Sequence, residues 1–387
     1  MGLVLINSIS DTFTPTHSGA IGTWHWEICN CARADGIEPV VISKTVDNSH
    51  TPYPWPNTVL IPYPTAPAIR IRGIDRIFRL QQRLTGWGHI HQKAYNIRVA
   101  QKIRELHLES GPMVLHNDPE LSVFLRKQFP RAFIVSHFYN QNSCHPRFRG
   151  QFGGEAKPTL VTAVSDFTAR WTEGYYGLEV GSVKTLYNGV DCNRFSPAET
   201  GPQIPTINFV GRLSHDKGPD LLLNAALNIA QTQSNFQVQL LGSTFWGGGN
   251  ADAYTLELEG LAGRLKERGV AVRMPGFINR WALPDELRRA DIHVVPSRWD
   301  EPFALSTLEG MSTGLATIAC STGGTPEAVE GAGLMFAKDD LDTLTAHLSR
   351  LIEDSDVRHR YGVIARERAE LFDWKNIWRR LRLLVDL

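Results

Sequence analysis

Short apolar runs that alternate with helical runs constrain the fold of this chain more than any other feature. Residues 3–7 form the first predicted strand, a helical run follows from Trp24 to Ala34, and the next strand is Val40-Val41-Ile42-Ser43. A strand, a glycine-containing loop, a helix and a strand make a βαβ unit. The pattern breaks over residues 183–205, which are rich in Gly, Pro and Thr, and it resumes at Ile207–Val210. We therefore predict an α/β fold with an interdomain linker in this stretch.

Length and composition narrow the class of protein. The 387 residues are too many for one ordinary core, so two domains are expected. With 40 basic and 40 acidic side chains, overall charge favours neither nucleic acid nor an acidic partner. The five cysteines lack a C-x-x-C pair, which suits free thiols in a reducing compartment, and no apolar run is long enough to span a membrane. These features predict a cytoplasmic protein that does not bind nucleic acid.

The stretch Glu301–Glu309 joins an apolar strand, Ile292–Pro296, to a helix that is expected to open at Leu308. A strand-to-helix turn offers backbone N–H groups and the positive end of a helix dipole, which together suit a phosphate. A carboxylate repels a phosphate, so the natural partners of Glu301 and Glu309 are hydroxyls on whatever the phosphate carries. A phosphate flanked by hydroxyls indicates a sugar nucleotide.

Two plainer interpretations of that stretch stay open. Ser306-x-x-Glu309 also fits a capping box, in which Glu309 reaches back to the cap N–H group. Glu301, next to Pro302, also fits a solvated loop carboxylate.

A second strand-to-helix turn, Gly211–Pro219, carries Arg212 and Lys217. Basic side chains at such a turn, with glycines but without a Walker sequence, suit a diphosphate held by side-chain charge. Solvated basic residues of a loop are the alternative.

In the N-terminal half, polar residues follow two predicted strands. His116 ends the run Met113–His116 and His137 ends the run Phe133–His137. Strand ends of this kind surround the crevice of α/β folds, so both histidines are expected near it, with hydrogen-bonded structural histidines as the alternative. Tyr139 and Asn140 follow in a loop whose composition suits sugar hydroxyls. Gly19, in the first loop, could let the backbone approach a ligand closely.

Residues 68–105 are basic and are expected to be helical. Their apolar positions give the segment one apolar side. This segment could meet a membrane surface or an anionic acceptor, and an ordinary helix with a solvated basic face is the alternative.

Taken together, three motifs of the C-terminal half resemble glycosyltransferase family 4, within the GT-B glycosyltransferases. They are Gly211-Arg212-Leu213-x-x-x-Lys217-Gly218, the stretch Glu301–Glu309, and Gly323-Gly324-x-Pro326-Glu327. The resemblance implies two Rossmann-like α/β domains that face a central cleft. It places an acceptor domain at 1–192, joined by a final helix at 373–387, and a donor domain at 193–372. It also implies retaining transfer from a nucleoside diphosphate sugar.

The resemblance also implies roles for single residues. Arg212 and Lys217 would hold the diphosphate, Glu301 the hydroxyls of the donor sugar, and Glu309 the ribose. The remaining donor contacts would come from the backbone amides of Phe303, Ala304 and Leu305 and from Phe277 against the base. Gly19 and His116 would approach donor and acceptor, although Ser18-Gly19-Ala20 stands where many members have a double glycine.

The expected activity is hexosyl transfer from a UDP-sugar, or a GDP-sugar, to a saccharide or glycolipid acceptor in polysaccharide or glycoconjugate biosynthesis. No cofactor and no metal are expected, because the basic side chains can stabilise the departing diphosphate. Asp340-Leu341-Asp342 is expected to open a helix and not to bind Mn²⁺. A sugar-nucleotide epimerase of the same fold and a non-catalytic sugar-nucleotide-binding protein remain as alternatives.

Overall fold

A computed structural model describes residues 2–15, 19–45, 52–62, 88–140, 149–154, 156–244 and 253–387. The chain divides into two compact units. The N-terminal unit comprises Met1–Ala163, Ala169–Thr185 and Leu381–Leu387, and the C-terminal unit comprises Val164–Thr168 and Leu186–Arg380. Both are parallel α/β sheets covered by helices, so the predicted fold class of two Rossmann-like domains is confirmed.

The N-terminal unit contains a 7-stranded parallel sheet in the order β3-β2-β1-β4-β5-β6-β7. Its strands are β1 (Val4–Ile6), β2 (Val40–Lys44), β3 (Thr58–Ile61), β4 (Met113–His116), β5 (Ile134–Phe138), β6 (Leu160–Ala163) and β7 (Lys184–Thr185). Its helices are α1 (Ala20–Ala34), α2 (Gly88–Glu105), α3 (Pro119–Gln128), α4 (Arg149–Gly153) and α5 (Asp166–Tyr176), the last of which begins in the segment that clusters with the other unit. The central strands are buried on both faces, which explains why they read as continuous apolar runs.

The C-terminal unit contains a 6-stranded parallel sheet in the order β10-β9-β8-β11-β12-β13. Its strands are β8 (Thr206–Val210), β9 (Gln237–Leu241), β10 (Ala271–Gly276), β11 (Ile292–Val295), β12 (Ala316–Cys320) and β13 (Leu334–Phe336). Its helices are α6 (Pro219–Ile229), α7 (Ala253–Glu267), α8 (Leu283–Leu287), α9 (Leu305–Ser312), α10 (Thr325–Val329), α11 (Leu341–Glu353), α12 (Ser355–Glu370) and α13 (Trp374–Val385), the last of which ends in the N-terminal unit.

The helix boundaries correct the sequence prediction at one functional position. Helix α9 begins at Leu305, one turn before the predicted start at Leu308, and its N-cap is Ala304 without a side-chain hydrogen bond. Ser306 therefore lies inside the first turn and is not the cap. The capping-box interpretation of Ser306 and Glu309 is wrong, because the turn after Pro302 leads into the helix earlier than the polar residues suggested.

Two other expectations can be assessed. Asp340 is the N-cap of α11, because its Oδ1 accepts a hydrogen bond from the backbone N–H of Thr343 at 3.0 Å, so this acidic pair does open a helix. The basic segment is helical over Gly88–Glu105, and the predicted part at 68–87 lies outside the described residues. Within the described part of the chain, no helix combines the length and the apolar character that a bilayer crossing needs.

Candidate functional site

The C-terminal sheet has a topological switch point between β8 and β11. From β8 the chain continues to β9 on one side, whereas β11 lies on the other side. Ligands of open parallel sheets bind beyond the carboxyl ends of strands at such a point. The loops that leave β8 and β11 carry Arg212, Lys217 and Glu301, so the three predicted polar residues belong to the two loops at the switch point.

The loop after β8 is held tightly against the loop after β11. It forms a 3₁₀ turn over His215–Lys217, followed by Gly218 in the left-handed region at φ 69°. A Cβ atom at Gly218 would overlap the carbonyl oxygen of Pro296, so this position requires glycine for both its φ angle and its close approach. The carbonyl oxygen of Asp216 accepts hydrogen bonds from the backbone N–H groups of Arg298 at 2.9 Å and Trp299 at 3.1 Å. These contacts fix the position of Lys217 relative to β11.

Lys217 and Glu301 form an ion pair within this arrangement. The ammonium of Lys217 donates to Oε1 of Glu301, and the hydroxyl of Ser297 donates to the same oxygen at 2.7 Å. The Glu301 side chain is only 7% exposed, while that of Lys217 is 23% exposed. Glu301 is therefore a fixed, buried carboxylate and not the solvated loop residue of the plainer interpretation.

Arg212 is more accessible than Lys217. Its Nη2 donates to Oδ2 of Asp216 at 3.0 Å, and its side chain is 56% exposed. Partial burial of Asp216 acts to raise the pKa of its carboxyl group, but hydrogen bonding and the charges of Arg212 and Lys217 outweigh this effect and lower that pKa. An exposed pair of this kind contributes little to stability, so Arg212 can exchange partners at small energetic cost.

The glycine pair of the third motif supports Glu301 from the other side. The backbone N–H of Gly324 donates to the carbonyl oxygen of Glu301 at 2.6 Å. A Cβ atom at Gly323 would overlap that same carbonyl oxygen, and one at Gly324 would overlap the carbonyl oxygen of Pro302. The motif is thus explained by packing, because only glycine lets this loop lie against the Glu301 backbone.

Glu309 lies within α9 and is paired with a residue that the sequence did not indicate. Nη1 of Arg280 donates to Oε1 of Glu309 at 2.9 Å, and the two side chains are 16% and 5% exposed. Arg280 follows β10 in the chain, so the pair joins the loop after β10 to the helix after β11. No local pattern marked this arginine, since its partner is set by the tertiary structure.

The first turn of α9 supplies the other part of the predicted site. The backbone N–H group of Thr307 donates to the carbonyl oxygen of Ala304 at 3.2 Å, whereas the N–H groups that precede it have no partner within the helix, and Ala304 provides no side-chain cap. The Phe303 ring is buried against the rings of Tyr187 and Phe372, with centroids 5.0 and 5.5 Å away. Phe303 can therefore offer a ligand its backbone N–H group but not its ring.

The N-terminal sheet has its own switch point, between β1 and β4. His116 is the last residue of β4, and it lies in register with His137 on β5. A third imidazole, His25 of α1, packs beside them: its ring centroid is 4.4 Å from that of His116, and the centroids of His116 and His137 are 5.2 Å apart. We call His25, His116 and His137 the histidine cluster. The sequence predicted two of its members and missed His25, which lies inside a helical run.

The histidine cluster is buried and largely without hydrogen-bond partners. All three side chains are fully buried, and Nδ1 of His137 lies 2.8 Å from the hydroxyl of Thr162. Both nitrogens of His25, both nitrogens of His116 and Nε2 of His137 have no partner among the described residues, nor do Nε1 of Trp24 and the hydroxyl of Tyr139 beside them.

Burial sets the charge state of the cluster. It lowers the pKa of His25 to about 3, with a further contribution from His137, and it lowers the pKa of His137 to about 3. Burial, followed by the neighbouring histidines, lowers the pKa of His116 well below its ordinary value. All three imidazoles are therefore neutral near pH 7, and each can both donate and accept a hydrogen bond.

The remaining predicted residues have simpler surroundings. Gly19 is the N-cap of α1 with φ −73°, and a Cβ atom there would meet nothing within 4 Å, so neither backbone conformation nor packing requires glycine. Tyr139 is buried, and its backbone N–H donates to Oδ1 of Asn117 at 2.7 Å. Asn140 and Phe277 are half-buried in loops that follow β5 and β10. Their predicted ligand contacts stay predictions.

A metal site needs several donor side chains that converge on one point. Among the residues that the structure describes, no group of three or more His, Cys, Asp or Glu side chains could hold a metal ion. The histidine cluster therefore does not converge as a set of ligands, although imidazole is a common metal ligand.

The sequence that forms this site is similar to a known protein family. Residues 196–368, which include all the described C-terminal motifs, match the family "Glycosyl transferases group 1". Spore coat protein SA of Bacillus subtilis (strain 168) is 25% identical over 315 residues, which cover 75% of this chain and 81% of that protein. The D-inositol 3-phosphate glycosyltransferase of Corynebacterium jeikeium (strain K411) is 33% identical over 220 residues, 52% of this chain and 50% of that enzyme.

A solved structure shows the same architecture over the whole chain. Anabaena HepE, in complex with UDP, superimposes with a TM-score of 0.70 at 20% sequence identity, covering 100% of both chains. At this identity the likeness establishes the fold, while the family match covers the half of the chain that carries Lys217, Glu301 and Glu309.

Proposed function

We propose that the chain is a glycosyltransferase that moves a hexose from a UDP-sugar, in the first place UDP-glucose, to a saccharide or glycolipid acceptor, because residues 196–368 match the glycosyl transferases group 1 family and the chain shares the fold of HepE. The transfer retains the configuration of the anomeric carbon and requires no metal. The acceptor product would belong to polysaccharide or glycoconjugate biosynthesis.

One observation carries this proposal: Lys217 and Glu301 meet at the switch point, and the loop that carries Glu301 leads into the N-terminus of α9. An ammonium and the opening N–H groups of α9 provide positive potential for a diphosphate. A buried carboxylate beside them repels phosphate and accepts hydrogen bonds from hydroxyls. This combination matches a diphosphate that carries a sugar better than it matches a phosphate alone.

The donor contacts follow from this arrangement. Lys217 and the accessible Arg212 hold the diphosphate, and Glu301 orients the sugar through its hydroxyls. The backbone amides of Phe303, Ala304 and Leu305 face the sugar and phosphate.

The nucleoside is proposed to lie beyond these groups. Glu309 accepts hydrogen bonds from the ribose hydroxyls, and the segment at Phe277 contacts the base. UDP is preferred to GDP as the nucleotide because the structurally similar HepE is described with UDP and with UDP-glucose.

We propose that the acceptor binds to the N-terminal unit. His116 approaches the reacting hydroxyl, and His137, Tyr139 and Asn140 contribute to acceptor binding. Gly19 allows a close backbone approach to the donor. A neutral imidazole suits an acceptor hydroxyl, because its N–H group can donate a hydrogen bond to the hydroxyl oxygen and leave the hydroxyl proton to the departing phosphate. It also adds no positive charge beside the one that develops on the sugar.

In the proposed reaction, the bond between the anomeric carbon and the diphosphate oxygen breaks while the acceptor oxygen attacks from the same face. The new bond forms between the acceptor oxygen and the anomeric carbon, and the acceptor proton passes to the departing phosphate oxygen. Positive groups that are fixed before the reaction stabilise the negative charge on the diphosphate. Arg212 and Lys217 supply the positive charge without a metal ion, so we expect turnover to persist in EDTA.

The decisive experiment mixes the protein with UDP-glucose and follows UDP release with and without a panel of saccharide and lipid-linked acceptors. A transferase releases UDP faster with an acceptor and forms an α-linked product, whose configuration NMR can assign. Conversion of UDP-glucose to an isomer without UDP release would indicate an epimerase instead. Binding of UDP-glucose without turnover under any acceptor would indicate a non-catalytic binding protein.

A further inference from the structure

His25 is the member of the histidine cluster to which the proposed function assigns no role. It lies on α1, fully buried, with its ring almost perpendicular to that of His116 at an interplanar angle of 83°. Neither of its nitrogens has a hydrogen-bond partner among the described residues. Buried polar atoms without partners are uncommon in native proteins and each is destabilising, so a fully buried histidine of this kind calls for an explanation.

A neutral imidazole acts on a hydroxyl only if the correct nitrogen carries the proton. In proteins the tautomer is usually set by a partner on the opposite nitrogen. His116 has no carboxylate or carbonyl partner for either nitrogen among the described residues. Its tautomer must therefore be selected by the polar groups packed around it.

Four side chains pack around the His116 ring, and they differ in what they can offer. His137 has Nδ1 already placed against Thr162, and the indole of Trp24 can only donate. The Tyr139 ring centroid is 5.4 Å from that of His116, farther than the 4.4 Å of His25. His25 thus combines the shortest ring separation with both a donor and an acceptor that are not engaged elsewhere.

A shared metal ion is the other way in which three neutral imidazoles could be satisfied. The described His, Cys, Asp and Glu side chains include no group that could hold one, so hydrogen bonding is the interaction that remains. With ring centroids 4.4 Å apart, the two imidazoles are close enough for a ring nitrogen of one to reach a ring nitrogen of the other once the rings are suitably oriented.

We infer that His25 is a positioning residue for His116: it pairs with one imidazole nitrogen of His116, fixes the tautomer, and so directs the other nitrogen to the acceptor hydroxyl. This inference rests on the proposed function, because it takes His116 as the residue that approaches the acceptor. It adds a residue that acts on the acceptor step without touching the substrate.

The test compares His25→Asn, His25→Phe and Trp26→Phe. Asparagine keeps a hydrogen-bond donor and an acceptor near the position of Nδ1, whereas phenylalanine keeps only an aromatic ring. Trp26 serves as the control, because it is a neighbour of His25 on α1 but stacks on Tyr53, outside the histidine cluster. We expect His25→Phe to lower kcat roughly 10-fold to 100-fold with little change in KM for the donor, as for other residues that orient an active group. His25→Asn should keep most of the activity, and Trp26→Phe should match the wild type.

A double-mutant cycle separates positioning from a general structural effect. In a His116→Ala background, His25→Phe should cause little further loss, because there is no longer an imidazole to position. A full additional loss in that background would overturn the inference, as would equal damage from asparagine and phenylalanine. One zinc ion per chain in the purified protein would overturn it as well.

A measurement that does not require turnover tests the inference independently of the proposed function. The ring ¹⁵N shifts of His116 report its tautomer, and His25→Phe should change them while Trp26→Phe should not. If no acceptor supports transfer but the shifts respond in this way, the proposed function fails and the pairing stands. If transfer occurs and the His116 shifts do not respond, the inference fails and the proposed function stands.

Discussion

The ammonium of Lys217 donates to the carboxylate of Glu301, although 84 positions separate the two residues in the chain. The contact joins the loops that leave β8 and β11, and Ser297 holds the same carboxylate oxygen. Before a sugar nucleotide binds, the charges of Lys217 and Glu301 neutralise each other. A bound diphosphate would compete for Lys217, and Glu301 would then be available to the hydroxyls of the donor sugar. The pair therefore presets the positions of two groups that the proposed reaction uses separately.

Lys217→Ala and Glu301→Ala should each lower turnover by about two orders of magnitude or more, the size typical of a lost contact to developing charge. The rate of UDP release with a productive acceptor measures this effect. Lys266→Ala is the matched control, because Lys266 is an exposed lysine in the last turn of α7. A near-normal rate in either variant would remove that residue from the mechanism.

Arg280→Ala should destabilise the protein through Glu309. The Glu309 carboxylate is 5% exposed, and the substitution removes its arginine partner, so we expect a loss of about 3–5 kcal/mol in the free energy of unfolding. The same buried charge should weaken UDP binding by repelling the diphosphate. Urea unfolding and UDP titration measure the two effects.

Two variants control the Arg280 experiment. Arg280→Ala combined with Glu309→Gln should recover part of the stability, because no unpaired charge is left. Arg273→Ala breaks a pair with Glu286 in which the arginine is 41% exposed, and it should cost no more than about 1 kcal/mol. Equal losses from Arg280→Ala and Arg273→Ala would contradict the argument.

Gly218→Ala should disturb the loop that carries Lys217. An alanine there meets two penalties, a left-handed φ of 69° and overlap with the carbonyl oxygen of Pro296. Gly331→Ala is the control, since Gly331 has φ 80° but open space around its Cβ position, so only the cost of about 1 kcal/mol for the backbone conformation applies. Gly218→Ala should lower both the melting temperature and turnover well beyond Gly331→Ala. Similar effects would mean that the close approach is not important.

How far the sequence predicted the site depends on the kind of interaction. Strands and helices followed from local patterns, and the order of a parallel sheet then placed Lys217 and Glu301 at one edge, where they do meet. Arg280 and His25 were missed because their partners, Glu309 and His116, are far away in the chain. A basic loop residue and a histidine inside a helical run carry no local signal of such a pairing.

The start of α9 shows a different kind of limit. Ser306 and Glu309 have the spacing of a capping box, which favoured a later helix start, but the helix begins at Leu305 with Ala304 as N-cap. Phe303 comes directly before this N-cap, and its ring is buried against Tyr187, so a buried aromatic contact outweighs a polar capping preference here. Tertiary packing thus determines which backbone N–H groups lie at the N-terminus of α9.

We expect any binding to anionic liposomes to depend on residues 68–87 more than on α2. Three of the four Lys and Arg side chains of α2 have local partners: Arg98 donates to the carbonyl oxygen of Pro62, Lys102 pairs with Glu105 at 2.6 Å, and Arg104 donates to Gln128 at 2.6 Å. Sedimentation with vesicles that contain phosphatidylserine should show binding that weakens with salt. Glutamate substitutions at Arg70, Arg72 and Arg76 should abolish it, and Lys102→Glu should not. No binding at low salt would exclude a membrane role for the segment.

Acid should destabilise the protein through the histidine cluster. The pKa of His25 and of His137 is lowered by burial from 6.5 to about 3, so between these values the unfolded chain binds protons that the folded chain excludes. The contribution of these two histidines to the free energy of unfolding is fully present above pH 6.5. It falls as the pH decreases towards 3, by up to about 1.4 kcal/mol per pH unit for each histidine. Burial also raises the pKa of Asp118 to about 7, which opposes this trend, since the folded state then binds the extra proton.

Comparing variants isolates the histidine contribution to this acid sensitivity. Asp118 is present in both the wild type and His25→Asn, so its contribution cancels in the difference between their pH dependences. Urea unfolding at pH 7, 6 and 5 should show a shallower loss of stability for His25→Asn, because one buried imidazole no longer excludes a proton. Parallel curves for the two proteins would show that His25 is not buried as a neutral imidazole in the folded state.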